Sequence, residues 1–185
     1  MTSIEAHDVD ALLRDWWQGV AECRSDDPEE AAERRAATAP FGPAWPGRAP
    51  SPTPASDPGV HASRLAARLL SERPTLRIGL VPAACGAEAL VACGWSGPMN
   101  HENDTATIAA VLHGWERRFG VRVVAAGFDT LDLAVAAPPT DLDGALLVAA
   151  EHLALCPDNI LQGTGSLAEY AEHLIAADTW TLWWD

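Results

Sequence analysis

His152 and Cys156 stand four residues apart in E-H-L-A-L-C-P-D-N-I. On a helix that spacing puts an imidazole and a thiol on one side, where they can share a metal ion. Zinc takes three or four ligands, and no further His or Cys lies near them in sequence. His101, His113 and His173 reach them only through the fold. Projected on a helix, Cys156 falls on the apolar face and His152 at its edge. The pair therefore reads as a core thiol and a core histidine, with no metal and no cofactor. As nucleophile and base the pair fares worse, because Cys156 ends a helix, where the dipole opposes a thiolate.

Glu151 projects away from the apolar face of the same segment, and a carboxylate on an apolar helix needs a partner. An Arg of W-E-R-R-F, Arg117 or Arg118, can supply it structurally, and the carboxylate can equally contact a ligand. Pro157-Asp158-Asn159 reads as a helix-stop turn, since Asp and Asn bond their own backbone. Gly163-Thr164-Gly165 is too short for a phosphate loop. The residues able to bind a ligand or partner are Asn100, Trp115, Glu116, Arg118, Glu151, His152, Asp158, Asn159 and Trp183.

The elements that would carry them follow from periodicity. A first helix spans about Ile4 to Cys23, with Val9, Leu12, Leu13, Trp16 and Val20 at helical spacing. Asp27-Pro28 and Asp57-Pro58 each open a helix as cap and first-turn proline. Between them, residues 38–58 hold seven of the 14 prolines and form an extended connector, pinned by Phe41 and Trp45. Leu76–Val81 and Ala89–Trp95 read as strands. Asp104 or Thr105 caps a helix ending at Phe119, with Gly120 as its left-handed stop. Val121–Ala126 and Leu131–Ala136 read as a hairpin, and Thr140 as the cap of a nearly all-round apolar helix, 141–155. Such a helix needs cover on two sides, from the sheet and from the N-terminal helix. Ser166 and Glu169 make a capping box, and Trp180–Trp184 a last strand. The class is α+β, a mostly antiparallel sheet with helices packed on it and an N-terminal helical extension. The expected divisions are a helical segment 1–37, the connector 38–59 and an α+β domain 60–185.

The net charge of −14 is uneven. Residues 129–185 carry ten acids and no Lys or Arg, whereas residues 61–128 carry seven Arg and five acids. An acidic surface repels phosphate backbones and anionic lipid, which argues against nucleic-acid and membrane binding. Eight tryptophans are many for 185 residues. Trp180 and Trp184 alternate onto one strand face and Trp183 onto the other, so some aromatic surface is available to a partner.

G-W-E-R-R-F-G-V-R-V-V, P-P at 138–139, E-H-L-A-L-C-P-D-N-I and the terminal W-W-D together resemble a bacterial family, domain-of-unknown-function family 4253. Gly94–Asn100, G-W-S-G-P-M-N, and Trp45-Pro46-Gly47 extend the resemblance upstream. It implies a family and an approximate extent, and no activity. The acidic N-terminus M-T-S-I-E-A-H-D is unlike a signal peptide, which points to the cytoplasm. Without a catalytic constellation the reading leans away from an enzyme, toward a small acidic protein-binding domain of inhibitor or immunity type with a positively charged partner. The alternative is an enzyme or small-ligand binder with a pocket near Asn100, Trp115, Glu116, Glu151 and Asp158.

Overall fold

The computed structural model describes residues 4–22, 27–52 and 56–185. Cys23, at the expected end of the first helix, lies outside the described residues. Seven α-helices and one sheet are present among them: α1 (Val9–Ala21), α2 (Pro28–Thr38), α3 (Pro58–Glu72), α4 (Gly86–Ala92), α5 (Thr105–Phe119), β1 (Arg122–Ala126), β2 (Thr130–Ala134), α6 (Leu142–Leu155), α7 (Leu167–Leu174) and β3 (Thr179–Trp183). A π-helical turn, Asn159–Thr164, links α6 to α7. The class is α+β, and the sheet is antiparallel in the order β1-β2-β3.

The caps carry the helix starts. Asp8, Asp27, Asp57 and Asp104 each accept from a backbone N–H of their first turn, satisfying a donor that the helix leaves open. Ser166 Oγ accepts from Glu169 N at 3.2 Å. On α6 the cap is Asp141, not Thr140, and it accepts from Gly144 N at 2.8 Å. Asp offers a carboxylate to the positive helix end where Thr offers a hydroxyl. Gly120 ends α5 at φ 60°, and a side chain there would press on Ala136 and Pro58.

Two expected strands do not form. Residues 89–95 lie largely in α4, which buries Ala87 and Leu90 against α5. Short apolar runs do not distinguish strand from helix, and alanine at 87, 89 and 92 favours the helix. Leu76–Val81 forms no regular secondary structure and pairs with no strand, and Ile78 and Leu80 are 78% and 96% exposed.

One core joins the helices to the inner face of the sheet. Trp115, Phe119, Leu131, Leu133, Leu153, Trp180, Leu182 and Trp184 are buried in it. α6 packs between α1 and α7. α1 enters the same core through Leu13, Trp17 and Val20, while Trp16 is half-buried and lies against His101 with the rings tilted by 54°. Leu13 and Val20 lie on the expected face, Val9 and Trp16 pack at its edge, and Trp17 is the buried residue that the expected face left out. Phe41 and Trp45 close over Trp17, with ring centroids 6.3 and 5.8 Å away, so the connector is held down. α3 covers the outer face of the sheet through Leu65 and Leu69 against Ala134.

Candidate functional site

The polar candidates separate into three places. The first is inside the core. Glu151 on α6 is fully buried and meets both terminal nitrogens of Arg118 on α5, with Arg118 Nη1 to Glu151 Oε1 at 2.8 Å. Trp115 Nε1 donates to Glu151 Oε2 at 2.7 Å, and Ala49 N donates to Glu151 Oε1 at 2.8 Å. Arg118 Nη1 also donates to Ala49 O at 2.8 Å. The N–H and the C=O of one connector residue, Ala49, are thus held by one ion pair. Both oxygens of Glu151 are occupied by groups of this chain, so the carboxylate is a clasp and offers no lone pair to a ligand.

The second place joins α6, α7 and β3. Asn159 Nδ2 donates to Thr181 O at 2.7 Å and to the Tyr170 hydroxyl at 2.9 Å. Asn159 Oδ1 accepts from Trp183 N at 2.9 Å. The amide side chain therefore pairs with β3 much as a neighbouring strand would. Cys156 Sγ donates to Trp183 O at 2.8 Å, and burial pushes its thiol up to about 12. His152 Nδ1 lies 3.0 Å from the Tyr170 hydroxyl, and its ring sits 4.7 Å from those of Trp115 and Trp180. Tyr170 accepts from Asn159 and so has its proton for His152, which makes Nδ1 the acceptor of a neutral ring. Burial alone lowers the His152 pKa to about 3. A neutral, buried His152 and a protonated Cys156 serve packing. Asp158 and Asn100 lie at the rim, where Asp185 N donates to Asp158 Oδ2 at 3.0 Å and Asn100 Nδ2 donates to Asp185 O at 3.1 Å.

The third place is open. Glu116 is one residue after Trp115 on α5 and so points elsewhere, toward α4. Its Oε2 is 3.2 Å from His113 Nδ1, its Oε1 accepts from Ala87 N at 3.3 Å, and Cys85 Sγ is 3.7 Å from the same His113 Nδ1. Burial, followed by smaller effects that include Glu116, raises the Cys85 thiol. These residues line a cleft of about 270 Å³ with Ala84, Gly86, Arg117 and Arg122. Gly86 lies close against the neighbouring strand, where a Cβ would crowd Val123 at 3.0 Å and Glu116 Oε1 at 3.4 Å.

The pocket expected around Asn100, Trp115, Glu116, Glu151 and Asp158 is therefore divided: Trp115 and Glu151 are in the core, Asn100 and Asp158 at the C-terminal rim, and Glu116 in the α4–α5 cleft. The absence of a metal was inferred from ligands near Cys156. The fold assembles a different set, Cys85 and His113 with Glu116, from elements 28 residues apart. The one local signal was His113 and Glu116 at i and i+3 of a helix.

Ten acids in the C-terminal third become eight available ones. Asp132 is buried against Arg73 at 2.8 Å and Glu151 against Arg118. Asp141, Asp143, Glu169, Glu172, Asp178 and Asp185 are exposed. Among the described residues, no helix is long and apolar enough to cross a membrane.

Residues 77–185 match the model of the family described as Domain of unknown function (DUF4253). No curated protein and no solved structure matches the chain.

Proposed function

As the chain belongs to the DUF4253 family, whose function is unknown, we propose from its surface that it is a protein-binding module. One observation carries this reading. Ile78, Leu80 and Phe128 are 78%, 96% and 94% exposed, in a molecule that buries Trp17, Trp115, Trp180 and Trp184 almost completely. Leu76–Val81 is rich in strand-forming side chains yet lies outside the sheet, and β1 is an edge of that sheet. An exposed apolar segment of strand composition suits a partner that pairs with it by backbone and fills side-chain pockets.

The partner carries positive charge. Six exposed carboxylates lie in residues 129–185, which have no Lys or Arg to offset them. Such a field speeds the approach of a cation and repels nucleic acid. Cys85, Cys93 and Cys156 are free, which supports a reducing compartment such as a bacterial cytoplasm. Binding of inhibitor or immunity type fits these features.

A second reading, an enzyme or small-ligand binder, is favoured by one feature: the open cleft that holds Glu116 with Cys85 and His113. The experiment is capture from the native host with the wild-type chain and with Ile78→Asp/Leu80→Asp as parallel baits. A protein held by the first and lost from the second is the expected outcome. Equal retention by both baits removes the apolar segment from the interface. Turnover of a small molecule that is lost in Glu116→Gln moves the case to the second reading.

A further inference from the structure

We propose that Cys85, His113 and Glu116 form a zinc-class metal site, with three protein ligands and a position open to the cleft. The three donor atoms, Sγ, Nδ1 and a carboxylate oxygen, all lie within 4.8 Å of one another. Zinc binds thiolate at about 2.3 Å and imidazole or carboxylate at about 2.0–2.2 Å, so tetrahedral ligands stand about 3.6 Å (S to N) and about 3.3 Å (N to O) apart. The observed separations are 3.7 Å for Cys85 to His113 and 3.2 Å for His113 to Glu116. Two of the three edges are already those of a coordination sphere. The third closes by a small shift of Cys85, which is in the loop just before α4.

The geometry separates a metal site from a nucleophile with its base. A nucleophile–histidine–carboxylate relay uses one ring nitrogen for the nucleophile and the other for the acid. Here thiol and carboxylate face the same nitrogen, Nδ1, as ligands around a common ion do. The donor set is soft and mixed, S, N and O, which suits zinc and excludes calcium and magnesium, whose ligands are oxygen. A thiolate and a carboxylate together neutralise a dication. Glu116 Oε1 is held by Ala87 N, which orients the carboxylate as an outer hydrogen bond does in metal sites and leaves Oε2 for the ion. His113 and Cys85 are half-exposed and the cleft reaches solvent, so an ion has a path in.

Chelator-treated full-length protein is titrated with Co2+ and then with Zn2+. One equivalent of Co2+ is expected to give a thiolate-to-cobalt charge-transfer band, and Zn2+ to displace it. Cys85→Ser abolishes the band, and Cys93→Ser, which alters an exposed thiol at the other end of α4, retains it. His113→Gln and Glu116→Gln weaken Co2+ binding by at least the roughly 10-fold that even outer-shell changes cost. The absence of a charge-transfer band in the wild-type chain overturns the site whatever the variants do. A band that survives in Cys85→Ser overturns it as well.

Discussion

Arg118 grips Glu151 with both terminal nitrogens across the α5–α6 interface, and the same guanidinium holds the carbonyl of Ala49. One buried pair therefore ties two core helices to the proline-rich connector. Removing one partner leaves an uncompensated charge in the core. Arg118→Met is expected to cost about 3–5 kcal/mol, whereas the double replacement Arg118→Met/Glu151→Met costs less than the single ones added. Urea denaturation measures this. Limited proteolysis of Arg118→Met should cut first in residues 38–52, where the held peptide is released.

Trp17, and not Trp16, is the residue that docks the N-terminal helix. Trp17 is fully buried against Phe41 and Trp45, while Trp16 keeps one side in solvent. Trp17→Ala is expected to lose about 3–5 kcal/mol, and Trp16→Ala clearly less. Deleting residues 1–37 should lower thermal stability and solubility together, because it uncovers α6. Equal losses from the two tryptophan variants would show that the docking face is wrong.

Acid should unfold the protein partly through His152. Its pKa is about 6.5 in the unfolded chain and about 3 when buried. Between those values the unfolded state takes up a proton that the folded state refuses. Stability from this group is thus complete above about pH 6.5, falls as pH falls, and levels off below about pH 3. The slope contributed is at most about 1.4 kcal/mol per pH unit. His152→Gln keeps an acceptor for the Tyr170 hydroxyl and removes the titration, so its stability should fall less steeply between pH 6 and pH 4. Parallel wild-type and variant curves would contradict this.

Ile78 and Leu80 contribute to the surface and not to the core. Ile78→Asp/Leu80→Asp should therefore leave unfolding free energy within about 0.5 kcal/mol of wild type. Solubility at high concentration should rise, since an exposed apolar segment promotes association. A large loss of stability would mean that this segment packs in the folded protein.

Much of this architecture was legible from local signals. The caps at Asp27, Asp57 and Asp104, the stop at Gly120 and the period of residues 105–119 and 141–155 each restrict the backbone on their own. The clasp was legible too, because a carboxylate on an apolar helix demands a cation and W-E-R-R-F offers one. What escaped depended on tertiary context. The run 89–95 is apolar enough for a strand or a helix, and only its packing on α5 decides. Leu76–Val81 has strand composition but no strand beside it. Cys85 meets His113 and Glu116 only through the packing of α4 on α5 and β1, and no spacing within either segment announces that meeting.

The central claim, partner binding through an exposed apolar segment with acidic steering, is tested most directly by binding kinetics of the captured partner at two salt concentrations. Debye screening shortens from about 30 Å at 0.01 M to about 8 Å at 0.15 M. The expected result is an association rate that falls as salt rises, together with a dissociation rate at least roughly ten times faster in Leu80→Ala, as truncation of a buried interface anchor gives. An association rate indifferent to salt, with dissociation unchanged in Leu80→Ala, would contradict it.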